Sequence, residues 1–439
     1  MNRLFASDAA EPGHPYWWDG IEWPTLDAPP PDAVELLVIG AGYTGLSAAI
    51  AAHDAGAKVA VIDAGQPGQG ASTRNGGMFG AHPRLRWAAL QQKFGEDTAD
   101  AIFGEVAPAL HWVRDLIACE DINCDYEQTG RIQLAWTESH FANQRQLAKT
   151  VAEKSTVRID VLKKDELGSE IKTDVYKGGI VFPEHGALHP AKFHHGLLDA
   201  VLRRGISVTA ASPALKLAKD ASGFRVTTPQ KTIKATKIVL ATNGYTSSPF
   251  NWFARRVFPL PSFLIATEPL SSNLIGEIAP GRRMMVETRA RHSYFRISPD
   301  GTRILFGGRA AMVDIDLKKA AARLHATMTE VWLELNDTKL THVWTGNTGY
   351  SFNHVPTVGE HDGIHYAMGF SGSGTVLAPY LGAKAALQAL GDPNGETAYS
   401  QTQLQPRWFH SGGRPHFLRA ANIWYRNWVD GAENRAARR

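Results

Sequence analysis

Cysteine is nearly absent from this sequence, which holds only Cys119 and Cys124 among its 439 residues. Their spacing fits neither a redox pair nor a set of metal ligands, so we predict no metal site and no structural disulfide. An unbroken apolar run of membrane-spanning length is also missing, and the amino terminus lacks the apolar core of a secretory signal. We therefore expect a cytoplasmic protein with no integral membrane segment.

A strong excess of charge is missing as well. Lys and Arg number 46 and Asp and Glu 43, which gives a formal net charge of +3. Such a balance predicts no nucleic-acid partner. With 44% hydrophobic and 20% charged residues, the composition is that of a globular protein, and the length allows two domains or an interleaved pair.

What the sequence does contain, between Val34 and Asp63, is a strand, a glycine turn, a helix and a second strand. In the turn, Gly40 allows a tight bend, Gly42 lets backbone approach a pyrophosphate, and Gly45 brings helix and strand together. The helix amino terminus favours an anion. Asp63, at the end of the second strand, is placed to accept a hydrogen bond from a ribose hydroxyl. We therefore predict a dinucleotide site rather than an ordinary glycine turn.

A glycine-rich stretch, residues 68–84, follows this unit with the sequence GQGASTRNGGMFGAHPR. It cannot form a regular helix or strand, and after a dinucleotide strand it is expected to lie along the cofactor. Ser72, Arg74 and Asn75 could bind phosphate or the edges of a flavin. The alternative is a flexible surface loop.

Two later strands also end in small residues. Residues 238–244 (IVLATNG) form a buried parallel strand whose end is expected near the cofactor. Residues 364–374 (IHYAMGFSGSG) run into a helix from about Val376 to Leu390. The positive end of that helix would stabilise an anion on a reduced flavin ring.

A second domain is predicted from strand patterns in residues 129–136 and 251–339. On the strand His292 to Ile297, the period of two places His292, Tyr294 and Arg296 on one face. Guanidinium and phenol groups side by side form a plausible carboxylate clamp. Alternatively, Arg296 pairs with a structural acid.

The two ends of the chain are rich in aromatic residues. Residues 1–33 are interpreted as an extended arm whose tryptophans pack on the body, in preference to a functional aromatic platform. Residues 405–439 hold seven arginines among aromatic residues. We expect this tail to pack back with its charges solvated rather than to bind a membrane surface.

These motifs together resemble the FAD-dependent amine oxidoreductases of the D-amino acid oxidase superfamily. The segments VIGAGYTGLSAA with VIDAG, GASTRNGG, IVLATNGYT and YAMGFSGSG occur in family order within residues 34–391. The sequences of the segments GASTRNGG and ATNGYT are most similar to those of the γ-glutamylputrescine oxidoreductase branch.

The resemblance implies an α/β fold, with a Rossmann-like FAD-binding domain of the glutathione-reductase type and an inserted α+β substrate domain built on an antiparallel sheet. We expect the FAD domain at residues 34–86, 176–250 and 340–395, and the substrate domain at 87–175 and 251–339. The expected FAD-binding residues are Gly40, Gly42, Tyr43, Thr44, Gly45, Asp63, Ala64, Ser72, Arg74, Asn75, Gly76, Gly77, Met78, Thr242, Asn243, Gly244, Gly369, Ser371, Gly372, Ser373, Gly374 and Thr375.

The resemblance also implies oxidation of an amine C–N bond by hydride transfer to FAD, hydrolysis of the imine, and reoxidation by oxygen or another acceptor. Some members attach FAD through His or Cys. Arg74 stands about where that His would be, and neither cysteine lies near Trp344 to His354, so we predict noncovalent FAD. The expected substrate-pocket residues are Met78, Tyr294, Arg296, Trp344, Phe352 and His354, each of which could instead belong to the core.

Three alternatives stay open from the sequence: an amine dehydrogenase that uses an acceptor other than oxygen, a nicotinamide-linked dehydrogenase, and a flavin-binding protein without turnover. The segments GASTRNGG and GFSGSG count against the nicotinamide enzyme, because a nicotinamide site does not need them. The amine itself and the oligomeric state are not predicted.

Overall fold

A computed structural model describes residues 4–83 and 85–438 of the chain. Within those residues the strands are β1 (Ala33–Ile39), β2 (Val59–Ile62), β3 (Met78–Phe79), β4 (Arg131–Leu134), β5 (Asp160–Lys163), β6 (Gly178–Phe182), β7 (Gly186–Ala187), β8 (Ser207–Thr209), β9 (Lys216–Asp220), β10 (Gly223–Thr227), β11 (Thr232–Leu240), β12 (Val257–Thr267), β13 (Met284–Glu287), β14 (Ser293–Ile297), β15 (Ile304–Gly308), β16 (Leu340–Ser351), β17 (Thr357–His361) and β18 (Ile364–Met368).

The α-helices in the same residues are α1 (Tyr43–Asp54), α2 (Trp87–Phe94), α3 (Glu96–Cys119), α4 (Glu138–Lys154), α5 (Pro190–Arg203), α6 (Asn251–Ala254), α7 (Ser272–Ile278), α8 (Leu317–Val331), α9 (Gly374–Leu390), α10 (Phe417–Trp424) and α11 (Asp430–Ala437). A π-helical turn, Tyr425–Val429, joins α10 to α11. Short 3₁₀ turns lie at Tyr16–Trp18, Ala71–Thr73, Lys164–Ser169, Asn243–Tyr245, Leu333–Leu335, Pro393–Gly395 and Ala398–Gln401.

The first sheet has the order β17-β18-β11-β1-β2-β8, with β10 and β9 added beside β11. Strands β18, β11, β1, β2 and β8 are parallel to one another. Their aliphatic residues are buried on both faces: Val38 belongs to the core on one face and Leu37 to the core on the other. Because the strands are parallel, the glycine segments that follow β1, β11 and β18 meet at one edge of the sheet.

Helices α1 and α9 pack closely together next to this sheet. A β-carbon on Gly382 of α9 would lie 2.2 Å from the carbonyl oxygen of Thr44 in α1. The absence of a side chain at Gly382 therefore lets the two helices that begin at this edge approach each other.

The second sheet has the order β16-β12-β15-β14-β13-β4-β6-β5. It is antiparallel except for the pair β13 and β4. The period of two separates its faces: Phe295 and Phe306 join the core formed with α7 and α8, whereas Tyr294 lies on the opposite face. One face of the sheet is thus covered by helices, and the other is left to line a cavity.

The boundaries expected from the sequence need correction in three places. Strand β6, expected in the FAD domain, pairs with β4 and β5 in the second sheet. Strand β16 pairs with β12 in that sheet along its whole length. Helix α3, expected in the substrate domain, packs through Phe103 on the core that contains Leu46 of α1. Strand β6 is buried throughout, so it carries no alternation that would reveal its sheet.

The amino-terminal arm packs on the body, as the sequence predicted. Trp17 is fully buried in a cluster with Leu264 and Trp344. The carboxyl-terminal tail also returns to the body, where Arg291 pairs with Asp430 and the backbone N–H of Ala290 donates to Glu433. Several of its aromatic side chains nevertheless stay exposed, among them Trp408, Trp424 and Trp428.

Candidate active site

The glycine turn after β1 has the geometry expected of a dinucleotide site. Gly40 has a φ of +106°, which a residue with a side chain adopts only with strain. A β-carbon on Gly45 would lie 1.8 Å from the carbonyl oxygen of Gly40, and one on Gly42 would lie 2.8 Å from Oγ of Ser72. These glycines therefore keep helix α1 against the strand and leave its first turn open to an anion.

Asp63 and His194 hold this turn from two sides. The Asp63 carboxylate accepts hydrogen bonds from the backbone N–H groups of Ala41 at 2.7 Å and Gly65 at 2.9 Å, and burial raises its pKa. Nε2 of His194 lies 2.8 Å from the carbonyl oxygen of Ala41. Ala64, the next residue after Asp63, is exposed.

The loop after β2 is ordered by the arm and by its own side chains. Oγ of Ser72 accepts from the N–H of Tyr43 at 3.1 Å, and the Asn75 amide donates to the carbonyls of Ala71 and Ser72. From the arm, Nε1 of Trp17 donates to the carbonyl oxygen of Asn75 at 2.7 Å. The loop is a built structure rather than a flexible surface segment.

Arg74 lies in this loop with its guanidinium satisfied by protein. It donates to the carbonyl oxygens of Gly13, Gln69 and Thr345, and it lies 4.4 Å from the ring centroid of Trp18. Arg74 therefore connects the amino-terminal arm, the loop and the second sheet.

The remaining glycine segments converge on the same edge. Oδ1 of Asn243 accepts from the N–H of Gly369 at 2.9 Å, and a β-carbon on Gly40 would lie 2.9 Å from the carbonyl oxygen of Ala241. Gly244 approaches Gly349 so closely that its β-carbon would lie 2.8 Å from that Cα. Strand ends that are distant in sequence are therefore in contact.

Other predicted cofactor residues support these segments internally. Tyr43 is buried and its hydroxyl donates to the carbonyl of Pro190. Thr44 is buried in α1. The hydroxyl groups of Thr242 and Thr246 form a hydrogen bond. Gly77 (φ +68°), Gly369 (φ +81°), Ser371 (φ +52°) and Gly372 (φ +104°) have left-handed backbone. Helix α9 begins at Gly374 after Ser373.

A cavity of about 980 Å³ separates these segments from the second sheet. On the nucleotide side it is lined by Asn75, Gly76, Met78, Gly372, Ser373 and Thr375. On the other side it is lined by the face of the second sheet and by tail residues of α10 and the π turn. A flavin ring held by the glycine segments would border this space.

Four of the six predicted pocket residues line this cavity: Met78, Tyr294, Phe352 and His354. The hydroxyl of Tyr294 lies 2.9 Å from Oγ of Ser262, and burial raises the pKa of Tyr294 to about 12, so the hydroxyl stays neutral. Trp344 is fully buried, and its Nε1 donates to the carbonyl of Arg74. Its contacts make it part of the support for the loop.

Arg296 does not share the cavity with Tyr294, although both lie on one face of β14. Its guanidinium donates to the carbonyl oxygens of Gly77 at 3.3 Å, Leu188 at 2.8 Å and Ile297 at 2.9 Å. It borders a separate, smaller space of about 530 Å³. Neither a clamp with Tyr294 nor a pair with a structural acid describes these contacts.

Several cavity residues were missed in the sequence. Arg131, His82 and Arg309 line the cavity, and so do Phe409, Phe417, Leu418 and Tyr425 of the tail. The alternation in residues 129–136 could have drawn attention to Arg131, because it places Arg131 and Gln133 on the face opposite the core residues Ile132 and Leu134.

The residues at this edge fit a flavin dinucleotide. The space beside Gly42 would be filled by a β-carbon, the first turn of α1 is free of acidic side chains, and the loop and α9 border a cavity large enough for a ring and a small substrate. Among the described residues we find no group of three or more His, Cys, Asp or Glu able to hold a metal ion. Nor does the described part of the chain include a helix long and apolar enough to cross a bilayer.

Comparison with known proteins agrees with this geometry. Residues 35–387 match the family model described as DAO, FAD dependent oxidoreductase. The chain is 31% identical to the probable oxidoreductase OrdL of Rhizobium meliloti over 363 residues, which cover 81% of this chain and 83% of that protein. It is 25% identical to γ-glutamylputrescine oxidoreductase of Escherichia coli, with 87% and 88% covered.

The fold of the chain also matches the folds of solved structures. Glycine oxidase from Geobacillus kaustophilus superposes with a TM-score of 0.69 at 18% identity, covering 86% of this chain and 99% of that chain. The predicted Rossmann-like FAD fold is thereby confirmed, and FAD is the cofactor of this family. The chain belongs to the DAO family of FAD-dependent oxidoreductases.

Proposed function

We propose that this protein oxidises a C–N bond of an amine, such as a secondary amine, a polyamine derivative or an amino acid. When bound, FAD would accept hydride from the carbon that carries the amine; the resulting imine is hydrolysed by water, and oxygen is the proposed final acceptor, giving hydrogen peroxide. Relatives named γ-glutamylputrescine oxidoreductase and glycine oxidase support an amine or amino acid as substrate. We place the enzyme in the cytoplasm.

The observation that carries the proposal is the position of the cavity. Its walls are the glycine segments on one side and the side chains of the second sheet on the other. A substrate in this space would lie between the cofactor segments and the sheet, which is the arrangement that direct transfer between two bound molecules requires.

The chain itself supplies positioning and charge stabilisation. Helix α9 begins at the cavity, where Ser373 and Thr375 are in the wall, so its positive end favours negative charge there. The aromatic residues Phe352, Phe417 and Tyr425 give part of the wall an apolar surface. Hydride transfer from a neutral amine needs no obligatory protein base, and none is assigned.

The decisive experiment is an anaerobic screen of the purified holoenzyme. Amino acids, N-methyl amines and polyamine conjugates are added singly, and bleaching of the flavin absorbance is recorded. We expect at least one class to bleach the flavin, with peroxide formed when oxygen is readmitted. A protein that stays colourless after incubation with FAD would refute the proposal.

The same screen separates the alternatives. Bleaching without peroxide, followed by reoxidation with a quinone or dye, would favour a dehydrogenase over an oxidase. Bleaching by reduced nicotinamide alone would favour a nicotinamide-linked enzyme. A flavin that no amine reduces would favour a flavin-binding protein without turnover.

We also propose that FAD is held without a covalent bond. Cys119 is exposed and Cys124 is buried, and neither lines the cavity. Burial raises the pKa of the Cys124 thiol to about 12, which keeps it protonated and unreactive. Precipitation with acid should release all of the yellow colour into the supernatant, whereas colour in the pellet would contradict this proposal.

A further inference from the structure

The last helical segment of the chain, residues 417–437, has one face toward the body and one face toward solvent. It consists of α10, the π-helical turn and α11, which follow one another without a break. We call this segment the tail helix. Its inner face closes part of the large cavity, whose wall includes Phe417, Leu418, Ala421 and Tyr425.

Polar contacts fix the orientation of the tail helix. Nε of Arg291 donates to Oδ1 of Asp430 at 3.1 Å, and the Glu433 carboxylate accepts from the backbone N–H of Ala290. Asp430 and Glu433 are the acids of residues 405–438. Both are therefore turned toward the body, and the solvent face of the helix carries no carboxylate of its own.

The outer face exposes large apolar side chains. Ile423, Trp424 and Trp428 are 56%, 57% and 54% exposed, and the rings of Trp424 and Trp428 stack with their centroids 5.3 Å apart. Residues four positions apart lie on the same side of a helix. These side chains therefore form an apolar surface that the described part of the chain leaves uncovered.

The charge beside this apolar surface has a single sign. In the described residues 405–438 the exposed charged side chains are Arg407, Arg414, Arg419, Arg426, Arg435 and Arg438. The whole chain has a formal net charge of only +3, so this concentration of positive charge is local. Because arginine is always protonated in proteins, the tail attracts an anionic surface.

Tryptophan and arginine on one helix face are typical of helices that lie on a bilayer. An indole ring has an apolar body and one N–H donor, which suits the depth of the lipid headgroups. Arginine extends its apolar stem along such a face and places its guanidinium on lipid phosphates. A helix bound in this way lies in the plane of the interface, and the cytoplasmic leaflet supplies anionic lipid.

A second copy of this chain fits the same face less well. Two copies related by a two-fold axis would place the same patch on both sides of the contact. Arginines would then meet arginines, because Asp430 and Glu433 already bind Arg291 and the N–H of Ala290. An anionic bilayer instead satisfies both the aromatic and the cationic side chains.

We propose that the outer face of the tail helix binds the surface of a bilayer that contains anionic lipid. Trp424 and Trp428 enter the headgroup layer, and Arg419 and Arg426 contact lipid phosphates. The sequence favoured a tail that packs on the body with its charges solvated; the structure shows one face packed and the opposite face exposed. The proposal does not depend on which amine the enzyme oxidises.

The test uses the FAD-loaded full-length protein and sedimentation with lipid vesicles. One set of vesicles is phosphatidylcholine alone, and the other is an equal mixture of phosphatidylcholine and phosphatidylglycerol. We expect a partition coefficient at least about tenfold larger for the anionic vesicles, which falls as salt screens the attraction. Brominated lipid in the anionic vesicles should also quench part of the tryptophan fluorescence.

Substitutions on the outer face then assign the binding. Trp424→Ser combined with Trp428→Ser should lower binding to anionic vesicles at least about tenfold and reduce the quenching by brominated lipid. Arg419→Gln combined with Arg426→Gln should lower binding and weaken its dependence on salt. None of these four residues lines the cavity, so the FAD content should stay that of the wild type.

The matched control is Leu215→Ser combined with Lys216→Gln. Leu215 and Lys216 are an exposed apolar and an exposed basic residue at the start of β9, which belongs to the first sheet. The control therefore makes the same kinds of substitution away from the tail helix. It should bind both sets of vesicles like the wild type.

Three vesicle results would overturn the proposal. They are equal binding of the wild type to neutral and anionic vesicles, tail variants that bind like the wild type, and a loss in the control as large as that in the tail variants. A dimer in vesicle-free sedimentation that the tryptophan variant dissociates would assign the face to a second copy instead.

The comparison of neutral and anionic vesicles needs no variant, so it decides even where a variant fails to fold. Vesicle binding is measured without turnover. A failed amine screen and a failed vesicle experiment are therefore distinguishable.

Discussion

His194 and Ala41 join helix α5 to the dinucleotide turn: Nε2 of His194 lies 2.8 Å from the Ala41 carbonyl oxygen. Nδ1 of the same ring is buried and has no hydrogen-bond partner within the described chain. Because a carbonyl only accepts, Nε2 carries a proton. Burial lowers the pKa of His194, so Nδ1 stays unprotonated and the ring is neutral. The turn that would receive the cofactor is thus supported by a histidine whose ring must stay neutral.

This relationship predicts acid sensitivity. Burial lowers the pKa of His194 from 6.5 to about 4, with a smaller contribution from His195. The unfolded chain takes up a proton below pH 6.5 while the folded chain does not, so stability is complete above 6.5 and is lost as the pH falls towards 4. For His194 alone the loss amounts to about 3 kcal/mol.

His194→Gln keeps an N–H donor but does not titrate. Thermal unfolding of variant and wild type between pH 7.5 and 4.5 is the measurement, and the variant should lose less stability across this range. Burial also lowers the pKa values of other histidines, namely His185, His189, His195, His342, His361, His365 and His410, so the wild-type slope contains their contributions as well. The difference between the two proteins isolates His194, and parallel curves would contradict the prediction.

Gly42→Ala should weaken FAD binding. The new β-carbon would lie 2.8 Å from Oγ of Ser72, and moving that hydroxyl would break its bond to the N–H of Tyr43. We expect the Kd for FAD, from titration of apoenzyme, to rise at least about tenfold, or about 1.4 kcal/mol. The matched control is Gly104→Ala in α3, where a β-carbon meets no atom within 4 Å; its FAD affinity should be unchanged.

Trp17→Phe should destabilise the loop that carries Asn75. The substitution removes the donor to the Asn75 carbonyl oxygen, which lies 2.7 Å from Nε1, in a fully buried cluster. Loss of such a bond costs about 1–3 kcal/mol. Urea unfolding and the rate of FAD release measure the effect. Trp408→Phe serves as control because Trp408 is 95% exposed; an equal effect in both variants would argue against a specific role of Trp17.

Arg296→Ala should act on stability rather than on substrate capture. Its removal takes away the Arg296 donor to the carbonyl oxygen of Leu188, at about 1–3 kcal/mol for an acceptor that becomes buried without a partner, whereas the Gly77 carbonyl keeps its bond from the N–H of Leu188. The affinity of the folded fraction for phenylacetate should stay within twofold of wild type. A large loss of that affinity with unchanged stability would restore the carboxylate clamp proposed from the sequence.

The glycine segments expected to hold the cofactor can be recognised in the sequence because each of them is built locally. Gly40, Gly42 and Gly45 act within one turn, and their spacing is dictated by the contact between a helix and the preceding strand. The same holds for the start of α9 after Gly372. Family resemblance adds the order of such segments along the chain, and it led correctly to the fold.

The substrate side could not be predicted to the same degree. The period of two places Tyr294 and Arg296 on one face, but the long Arg296 side chain extends to carbonyls contributed by distant segments, at Gly77 and Leu188. Arg131 faces the cavity because β4 pairs with β13 and β6, which are remote in sequence. Such pairings depend on the register of the whole sheet, and no local pattern encodes them.

Part of the cavity wall comes from chain outside the shared family region, which ends at residue 387. Phe409, Phe417, Leu418 and Tyr425 complete the enclosure on that side. The glycine segments and this part of the cavity wall are therefore encoded by separate stretches of sequence. Substitutions at these four positions would change the shape of the cavity without altering any residue of the nucleotide turn, so selectivity can be changed there while the turn keeps its sequence.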